Sequence, residues 1–245
     1  MDNDKKYKHI PLSEDFYNWW YKGRKRIINL MLSDLIDKKN SKNLEILAIG
    51  PGVGVNIEVL QKFGKVSVLD VDEYFLNLIS KNKKLKIENF YKDFNEINKQ
   101  FDLVVFMDVI EHIEDHKKFI KNIEKIMKEN SYGILSVPAY ASFFSGHDEM
   151  LNHYRRYDWE LVSQHLGNQF DIKLKFGFNY FLLPVRYIQI KFLTTPKFDT
   201  TTNFFMNFIL NVLLLLEFYL IKININPKFG LSLFALFRKK SSIIN

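Results

Sequence analysis

The chain has 245 residues, 47% of them hydrophobic and 16% aromatic, with no cysteine and a formal net charge of +7. One large domain with a full apolar core is therefore expected, and a disulfide framework or a thiolate metal site is excluded. The positive charge favours anionic partners such as lipid or nucleic acid, although the lysines are scattered as in a chain with a general Lys/Asn/Ile bias. The polar stretch 1–15 lacks the apolar run of a secretory leader. Together with the absence of cysteine, this predicts a cytoplasmic location, extended below to contact with the inner face of a membrane.

Residues 14–39 are predicted to be helical. Ile27, Ile28, Met31, Leu32 and Leu35 recur at helical spacing between Arg and Lys, after the aromatic cluster at 16–21. Strands are predicted at 44–49, 65–70, 85–90, 101–107 and 131–137. Between them lie helices, one at 55–63 and the clearest at 115–129, with Phe119, Ile120, Ile123, Ile126 and Met127 on one face. Such alternation implies a mostly parallel α/β sheet with helices on both sides. Right-handed crossovers then bring every strand's C-terminal end to one edge, where ligands bind.

Beyond residue 140 the rhythm changes. A helix is predicted at 158–167 and a strand at 170–178, with a final strand at 231–237 stopped by Arg238, Lys239 and Lys240. About fifty residues separate these two strands, far more than a hairpin needs. The predicted organisation is a single domain over 1–245. It comprises a helical cap at 1–40, a core at 41–178 and 229–240, and an apolar helical insertion at 179–228. Within the insertion, residues 204–223 match the length of a bilayer-spanning helix. Asn207, Asn211 and Glu217 oppose a simple span, and so does the return of the chain to the sheet. Three readings stay open: a helix docked over the substrate, a helix in the membrane interface flanked by Lys197, Lys222 and Lys228, and a span.

The first strand, Ile46-Leu47-Ala48-Ile49, breaks into Gly50-Pro51-Gly52-Val53-Gly54. Glycines there permit a ligand to approach the backbone closely. A dinucleotide fingerprint requires glycine at 55, where this chain has Val55. Asp70, with Val71 beside it, ends the second strand 20 residues after Gly50. An acid at that place can accept hydrogen bonds from both hydroxyls of a ribose. It could also cap the next helix, a role that Asp72 suits better. Asp93 and Phe94 follow the third strand. Asp93 can accept from an adenine amino group or cap a short helix, and Phe94 can pack or offer its N–H.

The glycine triplet, Asp70, Asp93, the strand Phe101 to His112 and the strand Gly133 to Pro138 occur in order. They resemble the successive motifs of class I S-adenosylmethionine (SAM) methyltransferases over residues 44–140. The resemblance implies a Rossmann-like sheet of seven strands with an antiparallel last strand, which the pairing of 170–178 with 231–237 would supply. It also implies SAM as cofactor, held by Gly50, Gly52, Gly54, Asp70, Val71, Asp93, Phe94 and Asp108. Family members carry an acid two positions before the first glycine, where this chain has Ala48. Asp108, Glu111 and His112 resemble a motif tied to a divalent metal in quinone-biosynthesis O-methyltransferases; hard oxygens with an imidazole could hold such an ion. The alternative is that Asp108 orients a ligand while Glu111 and His112 bond the loop.

Residues 145–157 carry two His, two acids and two Arg. They resemble a segment of bacterial methyltransferases that act on surface glycans or lipids. Here His147 is the expected base and Asp148 its orienting acid. Arg155 or Arg156 is expected to bind a substrate phosphate or carboxylate; the alternative for the whole segment is a surface loop with its own hydrogen-bond network. His153, Trp20 and Arg24 complete the candidate acceptor site, with Trp19 and Trp20 either closing over the cofactor or packing onto the sheet. The expected function is SAM-dependent O-methylation of a small, lipid-linked or glycan-linked acceptor. The alternative is a membrane-peripheral scaffold on a degenerate methyltransferase fold. Nucleic acid is an unfavoured partner, because the lysines are dispersed and form no focused stripe with stacking aromatics.

Overall fold

The structure, a computed structural model, describes residues 18–36, 43–192 and 204–241. Seven strands form one sheet: β1 Leu44–Ile49, β2 Gly64–Leu69, β3 Ile87–Tyr91, β4 Phe101–Met107, β5 Met127–Pro138, β6 Phe170–Phe178 and β7 Ser232–Lys239. Their order is β3-β2-β1-β4-β5-β7-β6. The first five strands pair in parallel. β7 runs antiparallel between β5 and β6. From Ile46 to Ile49 β1 is apolar and buried, because both its faces are covered there, as a central parallel strand requires.

The helices are α1 Asn18–Ile36, α2 Ile57–Leu60, α3 Glu73–Lys81, α4 His116–Ile126, α5 Gly146–Met150, α6 Trp159–Leu166, α7 Leu183–Phe192 and α8 Phe204–Lys222. On one face of the sheet, Ile27, Ile28 and Met31 of α1 and Leu214 of α8 pack with Ile46, Val68, Phe176 and Phe234. On the other, Phe119 and Ile123 of α4 and Val162 and Leu166 of α6 pack with Leu47, Val104, Phe106 and Phe237.

Several boundaries differ from expectation. The helix expected over 55–63 is a single turn, Ile57–Leu60, because the glycine loop consumes the residues before it. The helix expected to 129 stops at Ile126. Met127 continues its apolar period but pairs with Phe101 and opens β5. Residues 14–17 and 37–39 of the predicted first helix, and Lys197, lie outside the described residues.

α8 is long and apolar enough to cross a membrane by length and composition alone. It lies along α1, and Gly23 makes the approach close: a Cβ there would stand 2.7 Å from Leu214 Cδ1. Glu217, fully buried, accepts the backbone N–H groups of Asn179 (2.6 Å) and Phe181 (3.0 Å). The helix is thereby anchored to the turn that follows β6. Its outer side exposes Phe205, Phe208, Leu216 and Tyr219, and α7 exposes Val185, Tyr187 and Ile188.

Candidate active site

The loop 50–56 leaves the C-terminal edge of β1. Gly50, Gly52 and Gly54 have φ of +59°, +54° and +83°, the left-handed region that residues with a Cβ rarely adopt. A Cβ at Gly50 would stand 2.6 Å from Val109 Cγ2, so the exit from β4 lies against the first glycine. At Gly52 a Cβ would meet nothing within 4 Å, which leaves that stretch of backbone open. Asp70 ends β2 and is buried; its Oδ1 accepts the Asp72 N–H at 3.0 Å. Burial pushes its carboxyl up to about 6, with the charge of Asp72 adding to the rise and the N–H groups of Asp72 and Gly52 opposing it.

Asp72 caps α3 through the Tyr74 N–H (2.9 Å), so the capping role falls on Asp72 and not on Asp70. Val71 is almost fully exposed. Asp93 is exposed and caps the turn 94–96 by accepting the Asn95 N–H at 2.7 Å. The Phe94 ring packs edge-on against Phe119 at 5.8 Å. The capping alternative for Asp93 is therefore the arrangement the structure contains.

Asp108 follows β4 with φ of 54°, an uncommon backbone for a residue with a side chain and one that concentrates at functional sites. Its N–H donates to the Ser136 carbonyl (2.9 Å), and Oδ1 accepts from Ser136 Oγ (2.9 Å). Oδ2 forms an ion pair with Arg24 Nη1 at 2.9 Å. Arg24 lies 5.6 Å from the Trp20 ring centre, and Trp20 lies 6.4 Å from Phe178. Trp19 packs against the core. Helix α1 is thus fixed at the ligand-binding edge of the sheet. Ala48 is buried between Val68 and Val105. Val109, the residue after Asp108, is the one that stands against the first glycine.

Glu111 is fully buried, and burial, then the charge of Asp108, raise its carboxyl well above the ordinary range. The His112 and His153 rings lie 4.5 Å apart. One ligand atom each from Glu111, His112 and His153 falls within 4.8 Å of the others. Of the three metal candidates, Glu111 and His112 come together with His153, while the Asp108 carboxylate is engaged by Arg24 and Ser136, in line with the alternative that Asp108 has another role. A carboxylate with two imidazoles is a donor set better suited to a transition metal than to magnesium.

Asp148 is fully buried. Its Oδ1 bonds His153 Nδ1 (2.9 Å) and Arg156 Nε (2.7 Å), and its Oδ2 accepts from Ser145 N (2.9 Å) and Ser145 Oγ (3.2 Å). Burial would raise this carboxyl, but the hydrogen bonds from His153 and Arg156 hold it far below its usual range. Asp148 therefore orients His153, in place of the expected His147. His147 is half-buried. Burial lowers its pKa and the charge of Arg186 adds to this, against the opposing charge of Asp148.

The expected anion fork on Arg155 or Arg156 is also corrected. Arg155 donates to the carbonyls of Ile113 (2.6 Å) and Glu114 (3.1 Å), and Arg156 to Asp148 and to the Ala139 carbonyl (3.2 Å). Both guanidiniums staple loops. Sequence reasoning missed Ser136, Arg186 and Tyr140. Ser136 was signalled by a hydroxyl inside an apolar strand, and Arg186 by a charge inside an apolar helix. Tyr140, with φ of 59° after β5, gives no sequence signal.

A glycine loop, acids at successive strand ends and an antiparallel β7 define a Rossmann-like methyltransferase fold. Residues 19–173, well over half of the chain, match the methyltransferase-domain family, and the chain belongs to it. The ubiquinone biosynthesis O-methyltransferase of Rickettsia canadensis is 31% identical over 137 residues, covering 49% of this chain and 58% of that protein. The protein of that name from Pelagibacter ubique is 26% identical over 196 residues, covering 71% of this chain and 78% of the relative. The chain thus spans little more than half the length of the Rickettsia relative and 37% of a Dictyostelium discoideum one. Among solved structures, the plantazolicin methyltransferase BpumL in complex with S-adenosylhomocysteine (SAH) superposes with a TM-score of 0.60 at 16% identity, covering 98% of this chain and 91% of that one. The N-methyltransferase NodS of Bradyrhizobium japonicum, also with SAH, gives 0.55 at 14% identity, with 98% and 94% covered. At these identities the likeness is one of fold.

Proposed function

We propose that the chain is a SAM-dependent methyltransferase acting on an oxygen of a small acceptor, free or linked to lipid or glycan. The observation that carries this reading is the open backbone at Gly52 facing the buried Asp70 carboxylate, beside the Arg24–Asp108 pair. These groups fit an adenosine cofactor: Asp70 offers acceptors for ribose hydroxyls, and Gly52 offers a backbone free of any Cβ obstruction. Asp93 and Phe94 sit at the adjoining strand end. The name shared by the O-methyltransferase relatives supports oxygen as the target.

When bound, SAM supplies a methyl group activated by its sulfonium. The chain's own residues would align the acceptor, exclude water and receive a proton. His147, neutral at pH 7 because burial disfavours its charge, is in the form that accepts a proton from a hydroxyl. Asp148 sets the position of His153 and Arg156 beside it. Calorimetry with SAH tests the reading. We expect binding that weakens about tenfold or more in Asp70→Ala, the worth of one or two charge-assisted hydrogen bonds. No binding of SAM or SAH, or unchanged affinity in the variant, overturns it.

We also propose that the protein rests against the inner face of a membrane through 204–223. The apolar outer side of α8, its extension onto α7, and exposed Lys191, Lys222 and Lys228 around them support this. Flotation with vesicles containing anionic lipid should carry the protein upward. The double variant Phe208→Glu/Leu216→Glu should remain at the bottom, and wild-type protein remaining there would refute the contact.

A further inference from the structure

Among the described residues, Arg186 of α7 is a buried cation without a counter-ion of its own. Its residue is 8% exposed, and among the described residues it forms no ion pair. One guanidinium nitrogen, Nη2, donates to Ser145 Oγ at 3.1 Å. The other, Nη1, is buried with no hydrogen-bond partner among the described residues. Neighbouring charges do not balance it. Asp148, the nearby carboxylate, is already shared by Arg156, His153 and Ser145. The other charge near Arg186 is Arg156, of like sign. An isolated buried guanidinium is costly, and nature resolves it with a carboxylate or phosphate that can take two parallel N–H bonds.

The position of this cation indicates what its missing anion belongs to. Ser145 Oγ bridges Arg186 and Asp148. Asp148 holds His153, whose ring meets His112 on the loop that begins at Asp108. One continuous set of contacts therefore runs from the cofactor edge at Arg24 and Asp108 to Arg186. His147, the proposed proton acceptor, lies between Ser145 and Asp148 in the chain and feels the charge of Arg186. An anion on Arg186 would sit on the acceptor side of this set.

We propose that Arg186, with Ser145, forms an oxyanion subsite that binds a phosphate or carboxylate group of the methyl acceptor. The inference rests on the methyltransferase reading above and deepens it, by making the acceptor an anionic molecule. The role expected for Arg155 or Arg156 passes to an arginine supplied by the insertion.

The test uses the full chain saturated with SAH, titrated with inorganic phosphate and, separately, with benzoate, at constant ionic strength in chloride. Binding of either anion, weakened about tenfold or more in Arg186→Gln and unchanged in Lys191→Gln, is expected from the loss of charge-assisted bonds. Preference for phosphate marks a phosphorylated acceptor, and preference for benzoate a carboxylated one. In buffer without either anion, Arg186→Gln should unfold at the same or a higher temperature than wild type, because it removes an uncompensated buried charge. Should Arg186→Gln fail to fold, Arg186→Lys decides: it keeps the charge, loses the fork and should still bind either anion several-fold more weakly. Equal anion binding in wild type and variants, or none in wild type that binds SAH, overturns the subsite and leaves the methyltransferase reading standing. Loss of SAH affinity in Arg186→Gln places the arginine on the cofactor and also overturns it. Failure of wild type to bind SAH at all overturns the methyltransferase reading instead.

Discussion

Arg24 on α1 and Asp108 at the end of β4 meet at 2.9 Å, the arginine buried and the carboxylate one-third exposed. This pair ties the N-terminal helix to the edge of the sheet where the glycine loop opens. Arg24→Ala leaves Asp108 in a left-handed backbone without its cation. It should destabilise the fold by about 2–3 kcal/mol, as for loss of one partner of a partly buried pair, seen as a lower urea midpoint. SAH affinity should fall with it. Arg24 also donates from Nη2 to Ser136 Oγ at 3.4 Å; Arg24→Lys restores the charge but loses this second bond, and should recover stability only in part.

Gly52→Ala separates folding from binding. The methyl group has open space, so the variant bears only the strain of φ +54°, about 1–2 kcal/mol. It should fold, as judged by an unchanged circular dichroism spectrum. SAH affinity should fall about tenfold or more, because the new Cβ stands where the ligand approaches the backbone. Equal affinity in wild type and Gly52→Ala would place the cofactor elsewhere.

Asp148→Asn strands Arg156 and His153 in a buried site. A loss of about 3–5 kcal/mol is expected, the usual result of removing one partner of a buried pair. The folded carboxyl is depressed, so its stabilisation is complete above the unfolded value near pH 4 and fades as pH falls through the folded value. The stability gap between wild type and variant, measured by urea titration, should therefore be constant from pH 6 to 8 and narrow below pH 4.

Glu217 titrates in the opposite sense. Burial pushes it up to about 7, against the N–H groups of Phe181, Asn179 and Tyr180. The folded state then holds a proton that the unfolded chain releases above about pH 4.3. Stability through this group is greatest below that pH and declines until pH passes about 7, by up to about 4 kcal/mol. Glu217→Gln cannot ionise. The difference in unfolding free energy between Glu217→Gln and wild type should move in favour of the variant between pH 5 and 8. A constant difference would show that Glu217 does not titrate there.

Much of the sheet was legible because apolar runs and glycine breaks mark buried parallel strands directly. β1, β4 and β6 occupy the predicted residues. The 115–129 helix overran because Met127 stands four residues after Ile123, and a buried helix face and the start of a buried strand look alike at that spacing. In the site, Asp70 and Asp72 were separable because only one of two nearby acids can cap a helix. The roles of residues 145–157 were not separable. Asp148 could face either of two histidines, and Arg155 and Arg156 could face a ligand or a carbonyl. Such choices depend on which loops come together in space. Arg186 entered the site from the insertion, where no local pattern links it to Ser145.

β6 has one neighbour in the sheet, β7, and 53 residues (179–231) separate the two strands. During synthesis at about 5–20 residues per second, β6 is exposed for roughly 3–10 s before its partner emerges. The apolar helix α8 emerges in the same interval, and α1 is already present to receive it. Docking α8 on α1 early would hide both apolar surfaces and hold Asn179, at the end of β6, in place through Glu217. A weakened α1–α8 contact, as in Gly23→Leu, would then be felt less as lost stability of finished protein than as chain lost to aggregation before β7 arrives.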